Sequence, residues 1–139
     1  MITYKVILEA VCYVTGVTPE DILKDRTQQG AKDKEVCYAR QLCMYLARKY
    51  DLGSSISVAK FYGHRDHATC LHAEKTIQNE LDLYTQKRVI YTQVQVKILE
   101  YTQAELRGAI EVRIDQLLKE FERKARKITD EILTQIEKI

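Results

Sequence analysis

Apolar residues recur every three or four positions along most of the chain, and the recurrence breaks at a few polar or glycine-containing stretches. Val6, Ile7, Ala10, Val11 and Val14 form one stripe, predicting an amphipathic helix from about Tyr4 to Val14 that Gly16 ends. Thr18-Pro19-Glu20-Asp21 predicts a short second helix. Threonine caps it, proline takes its first position, and two acids sit at the positive end of its dipole. Asp25 to Asp33 has no apolar period and reads as a loop carrying Arg26 and Lys32. A third helix is expected from about Lys34 to Tyr50. Its core side is Val36, Ala39, Cys43, Leu46 and Tyr50; Gln41 and Arg48 stack on the far side, with Arg40 at the edge.

After Asp51-Leu52-Gly53, Ser54 or Ser55 caps a short fourth helix to about Tyr62, with Val58 and either Phe61 or Tyr62 facing inward. Gly63 permits a left-handed turn, and Asp66 can cap the helix that follows. In that fifth helix Cys70, Ala73, Ile77 and Leu81 share one side. Ala68, His72 and Lys75 lie opposite, flanked by Arg65, Thr69 and Thr76. A short helix, a glycine turn and a helix with a polar first turn together spell helix-turn-helix.

Beyond Asp82 the pattern is divided. Val94, Val96 and Ile98 alternate as a strand would, whereas Ile90, Val94, Ile98 and Tyr101 fit a helix face; helical surroundings favour helix. From Gln103 onward one long stripe comprises Ile110, Ile114, Leu117, Phe121, Ala125, Ile128, Ile132, Ile136 and Ile139, stepping by threes and fours. Such a stripe must be covered by its own domain or by a second chain, and self-association is the expectation.

Composition narrows the function classes. With 139 residues, 45% hydrophobic and 30% charged, the chain is long enough for one domain, or for a small domain plus an extension. A net charge of only +2 means that any nucleic-acid contact must come from clustered positive charge. Cys12, Cys37, Cys43 and Cys70 fall at apolar positions without CxxC spacing, as expected of reduced thiols in a cytoplasmic protein. Lys5 and Glu9 interrupt the first apolar run, so no signal peptide is expected, and no run is long enough to span a membrane. There is no GxxxxGK[ST], so no ATP site of that kind, and no Ser/His/acid or paired-carboxylate arrangement stands out. The expectation is a non-enzyme without a cofactor. His64, His67, Cys70 and His72 crowd one segment but point around a helix instead of converging, so no metal is expected either.

The run GHRDHATCLHAEKTI, Gly63 to Ile77, resembles the signature GGRDHTTVLHAxxKI of the C-terminal DNA-binding domain of the bacterial replication initiator DnaA. ARQLCMYLARKY, Ala39 to Tyr50, is similar to the same family's arginine–glutamine helix with its MAxxLAKEL pattern. The similarity covers roughly Tyr4 to Leu81. It implies an all-α helix-turn-helix bundle, Trp-repressor-like, over residues 1–82, leaving 83–139 as a helical extension foreign to the family and a possible oligomerisation element. It also implies recognition of double-stranded DNA. Asp66, His67 and Ala68 would then read bases in the major groove, with Arg26 the candidate for the minor groove. Arg40, Gln41, Arg48, Thr69 and His72 would hold phosphates; Lys32, Ser55, Arg65 and Lys75 are further candidates around them.

Two departures stand inside the signature. Ala68 replaces a threonine, losing a hydroxyl but keeping a methyl suited to thymine, and His64 replaces a glycine at the turn. The family's ATPase domain is not represented. The expected function is therefore stand-alone, sequence-specific DNA binding in replication initiation or its regulation, or in a phage- or plasmid-type transcription regulator. The alternative is a non-enzymatic interaction module whose C-terminal helices bind a replication partner or self-associate.

Overall fold

The computed structural model describes residues 1–28 and 33–139, and among them every regular element is an α-helix. These are α1 (Tyr4–Thr15), α2 (Pro19–Ile22), α3 (Lys34–Lys49), α4 (Ser55–Phe61), α5 (His67–Leu83) and α6 (Thr85–Glu137). The chain divides into two units, Met1–Thr102 and Gln103–Ile139.

In the first unit the helix ends carry the groups their sequences promise. Thr3 and Thr18 accept hydrogen bonds from Val6 N and Asp21 N at the starts of α1 and α2. Gly16 closes α1 at φ 77°, its N–H donating to the Cys12 carbonyl at 2.9 Å. Of the two candidate serines, Ser54 caps α4 by accepting from Ser57 N at 3.2 Å.

Helix α3 runs through the core and packs against α1, α2, α4 and α5. Ala39, Leu42, Cys43 and Leu46 on α3 meet Ile7 and Val11 of α1, Val58 of α4, and Cys70, Ala73 and Ile77 of α5 within one buried cluster. At the end of α4 it is Tyr62 that turns inward. Its ring is fully buried and its hydroxyl donates to the Tyr4 carbonyl at 2.8 Å, while Phe61 stays exposed.

Residues 85–102 are helical, not extended. Val94 and Ile98, four apart, are buried with Tyr91, while Val96 between them is half-exposed; a strand would have put Val94, Val96 and Ile98 on one face. The Tyr91 ring meets Tyr45 edge-on at 5.9 Å, and Lys87 Nζ lies 3.6 Å from the centre of the Tyr38 ring. These contacts lie within the compact unit Met1–Thr102.

In the second unit residues 103–137 continue α6, and every residue from Gln103 to Ile139 is exposed. No disulfide joins Cys12, Cys37, Cys43 or Cys70, and Cys43 and Cys70 are buried. Among the described residues no helix is long and apolar enough to cross a membrane.

Candidate nucleic-acid interface

The turn between α4 and α5 is built on two left-handed residues, Gly63 (φ 103°) and His64 (φ 54°). Arg65 N donates to the Ala59 carbonyl and His64 N to the Lys60 carbonyl, which satisfies the end of α4 and reverses the chain. A Cβ on Gly63 would sit 2.9 Å from the Lys24 carbonyl oxygen and 3.2 Å from Arg65 Nη1, so this position needs glycine for space as well as for backbone angle. His64 stands in the same region with a side chain attached and carries the strain of that conformation.

Asp66 caps α5. One carboxylate oxygen accepts from Thr69 N and Thr69 Oγ1, both at 2.9 Å, and these bonds hold its pKa below the usual carboxylate range. Thr69 Oγ1 also accepts from Arg26 Nη2 at 2.8 Å, which ties the segment after α2 to the first turn of α5. Arg26, Thr69 and Asp66 thus form one chain of hydrogen bonds. Beside it His67 and Ala68 are exposed to solvent, and Leu71, His72 and Lys75 continue the exposed face of α5. His72 Nε2 is 3.3 Å from Thr76 Oγ1.

Behind this turn lies a shallow cavity of about 310 Å³ lined by Arg26, Arg40, Gln41, Arg65 and Thr69, together with Cys37 and Met44. Sequence pattern had set Arg40 at the edge of α3; the structure buries it. Its Nε donates to the Ile22 carbonyl at 2.8 Å and its Nη2 to the Asp21 carbonyl at 3.1 Å, pinning the end of α2 to α3. Arg65 is also buried, with Nη1 donating to the Lys24 and Gly63 carbonyls. Burial lowers the Arg65 pKa first, and repulsion from Arg40 and Arg26 lowers it further. Three guanidinium groups at one opening, with a polar amide and hydroxyl beside them, make a site that an anion would relieve electrostatically.

The remaining candidates are placed differently. Arg48 faces α5, its Nε paired with a Glu74 carboxylate oxygen at 2.7 Å and its Nη1 donating to the Gly53 carbonyl at 3.1 Å. Arg48, Glu74 and Lys75 line a separate open groove between α3 and α5, of about 830 Å³. Ser55 is the first residue of α4, partly buried. Lys32 lies outside the described residues. Leu71 was not singled out from sequence, since an apolar residue on a polar face gives no chemical signal, but it stands exposed between Ala68 and Lys75. Glu74, the partner of Arg48, was hidden by a separation of 26 residues. Among the described residues no three His, Cys, Asp or Glu side chains gather closely enough to hold a metal ion.

Residues 4–77 match the family described as the bacterial DnaA protein helix-turn-helix. The chain belongs to this family. Similar curated proteins include the chromosomal replication initiator protein DnaA of Bacteroides thetaiotaomicron, 38% identical over 49% of this chain and 17% of its own length. Those of Bacteroides fragilis (42%, covering 52% and 17%) and Gloeobacter violaceus (39%, covering 55% and 16%) are also similar. The chain thus spans about a sixth of the length of these relatives. The DnaA-family match ends at residue 77 and takes in α1 to α4 and the first part of α5, including the turn, the cap and the arginine cavity.

Proposed function

We propose that the protein binds double-stranded DNA in a sequence-dependent way, in replication initiation or its regulation, with the first turn of α5 in the major groove. The observation that carries this is a juxtaposition. An exposed helix start, His67-Ala68, stands directly beside a cluster of three arginines in a protein whose overall charge is nearly balanced. His67 supplies hydrogen bonds to base edges and Ala68 a methyl for thymine. Asp66 can present its second carboxylate oxygen to a base amino group while the first keeps the cap. Arg26, exposed next to Thr69, reaches a phosphate or a narrow minor groove.

Thr69, His72, Gln41 and Lys75 are the phosphate partners in this arrangement, with Ser55 at the start of α4 and Arg48 at the far end of α3 as flanking contacts. Arg40 and Arg65 act mainly through their charge, because both are buried, with Arg40 Nε and Nη2 and Arg65 Nη1 donating to carbonyls. The role is non-enzymatic and cytoplasmic. Residues 103–139 give the protein a second function, self-association, supported by an exposed apolar stripe left without a partner surface in the single chain.

Selection of bound duplexes from a random pool tests the first part. A defined consensus is expected, and His67→Ala should bind it more weakly while accepting more bases at one position. Recovery of no enriched sequence, with affinity equal to that of His67→Ala, would remove the proposal.

A further inference from the structure

The exposed stripe of residues 103–139 has a period that says how two copies meet. From Ile114 to Ile139 its spacings are three, four, four, three, four, four, three, which is an 11-residue repeat. Ile110, Phe121 and Ile132 are eleven apart; so are Ile114, Ala125 and Ile136, and Leu117, Ile128 and Ile139. A repeat of 11 over three turns is 3.67 residues per turn, slightly more than the helix itself, so a stripe of this kind winds with a shallow right-handed twist. The heptad seam of a left-handed coiled coil has the opposite drift.

The same stripe has a symmetry centre. Run antiparallel about a point near residue 123, Leu106 faces Ile139, Ile114 faces Ile132, and Phe121 faces Ala125 of the second copy. Every apolar layer is filled, and the bulkiest side chain meets the smallest. A parallel pair would stack Phe121 on Phe121 and Ala125 on Ala125, one layer too wide and the next nearly empty, and interiors tolerate neither. Opposed helix dipoles add a modest preference in the same direction. The nine large stripe residues from Leu106 to Ile139 are each about half-exposed or more. Covering them removes on the order of 800 Å² from water per chain, the size of a standard specific interface.

We infer that residues 103–139 of two copies pair antiparallel in a right-handed two-helix coil centred near residue 123, a geometry that rests on the self-association proposed above. Its consequence is one of connectivity: the two chains enter a coil about 50 Å long from opposite ends, because 34 residues rise about 1.5 Å each.

A nitroxide on Gly108→Cys tests this in the full chain, with Cys12→Ser and Cys37→Ser to remove the partly exposed thiols. A Cβ at Gly108 meets nothing within 4 Å, and the position lies off the stripe. A mass of two chains with the labels about 45 Å apart supports the inference. Two chains with labels within about 25 Å would overturn the antiparallel geometry and leave self-association standing. A single-chain mass for the unmodified protein overturns both. If the labelled variant fails to fold, lysine cross-linking of mixed light and heavy wild-type chains decides. Inter-chain Lys119–Lys127 links without Lys138–Lys138 links support the inference, and Lys138–Lys138 links overturn it.

Discussion

Arg40→Ala separates what an arginine does for the fold from what it does for a ligand. The side chain is only 4% exposed, and it donates to two carbonyls, Ile22 O at 2.8 Å and Asp21 O at 3.1 Å. Alanine leaves both acceptors without that donor and removes the buried aliphatic stem. A charged donor's hydrogen bond contributes about 1.5–3 kcal/mol, and the two are not fully additive, so a loss of about 3 kcal/mol is expected. For a unit of this size that lowers Tm by roughly 15 °C. All nine tyrosines lie between Tyr4 and Tyr101, so the tyrosine band of the near-ultraviolet circular dichroism reports on the first unit. Arg40→Lys, a single-point donor, should fall between the two, since it cannot span both carbonyls. A stability change below about 0.5 kcal/mol in Arg40→Ala would refute the clamp and return Arg40 to the set of direct contacts.

Other substitutions probe neighbouring parts of the site. Gly63→Ala should destabilise by about 2 kcal/mol or more in urea titration, from the left-handed backbone together with the approach to the Lys24 carbonyl. His64→Gly should do the reverse, raising stability by about 0.5–1 kcal/mol, because relief at φ 54° outweighs the added freedom of the unfolded chain. The Asp66 cap predicts a pH dependence. Its folded-state pKa is depressed by the bonds from Thr69, so its contribution is present above the unfolded carboxylate value near pH ~4 and is lost as pH falls through the folded value below it. Thermal unfolding of Asp66→Asn between pH 6 and 2.5 should show a shallower acid decline than wild type.

Much of the fold is written locally. The α1 stripe, the Thr18-Pro19 start of α2 and the Asp66 cap each rest on residues within one or two turns of one another, so spacing alone exposes them. What sequence pattern mis-set or left open depends on distant partners. Arg40 looks like an edge residue because arginine is rarely buried, and the carbonyls that make burial tolerable belong to α2, 18 and 19 residues away. Tyr62, not Phe61, turns inward because its hydroxyl finds the Tyr4 carbonyl across 58 residues. The alternation of Val94, Val96 and Ile98 is real but carries no strand. Val96 is the half-exposed member, and the rings of Tyr45 and Tyr91 fix the helical face. For the candidate site, the motif names the first turn of α5, whereas the gathering of Arg26, Arg40 and Arg65 at one opening emerges only once α2, α3 and the turn are assembled.

The central claim is that a local cluster of positive charge, not net charge, grips a duplex beside an exposed helix start. Its most direct test is the affinity for a selected duplex as salt is raised, measured by fluorescence anisotropy for wild type and Arg26→Ala. Each phosphate contact contributes about 0.9 to the slope of log affinity against log salt, so wild type should fall with a slope of several and Arg26→Ala should be shallower by about one. Arg26 is exposed and its Nη2 donates to Thr69 Oγ1 at the surface, so the stability of the variant should change by less than about 0.5 kcal/mol. No measurable binding to any duplex at low salt, or a flat dependence shared by both proteins, would contradict the account.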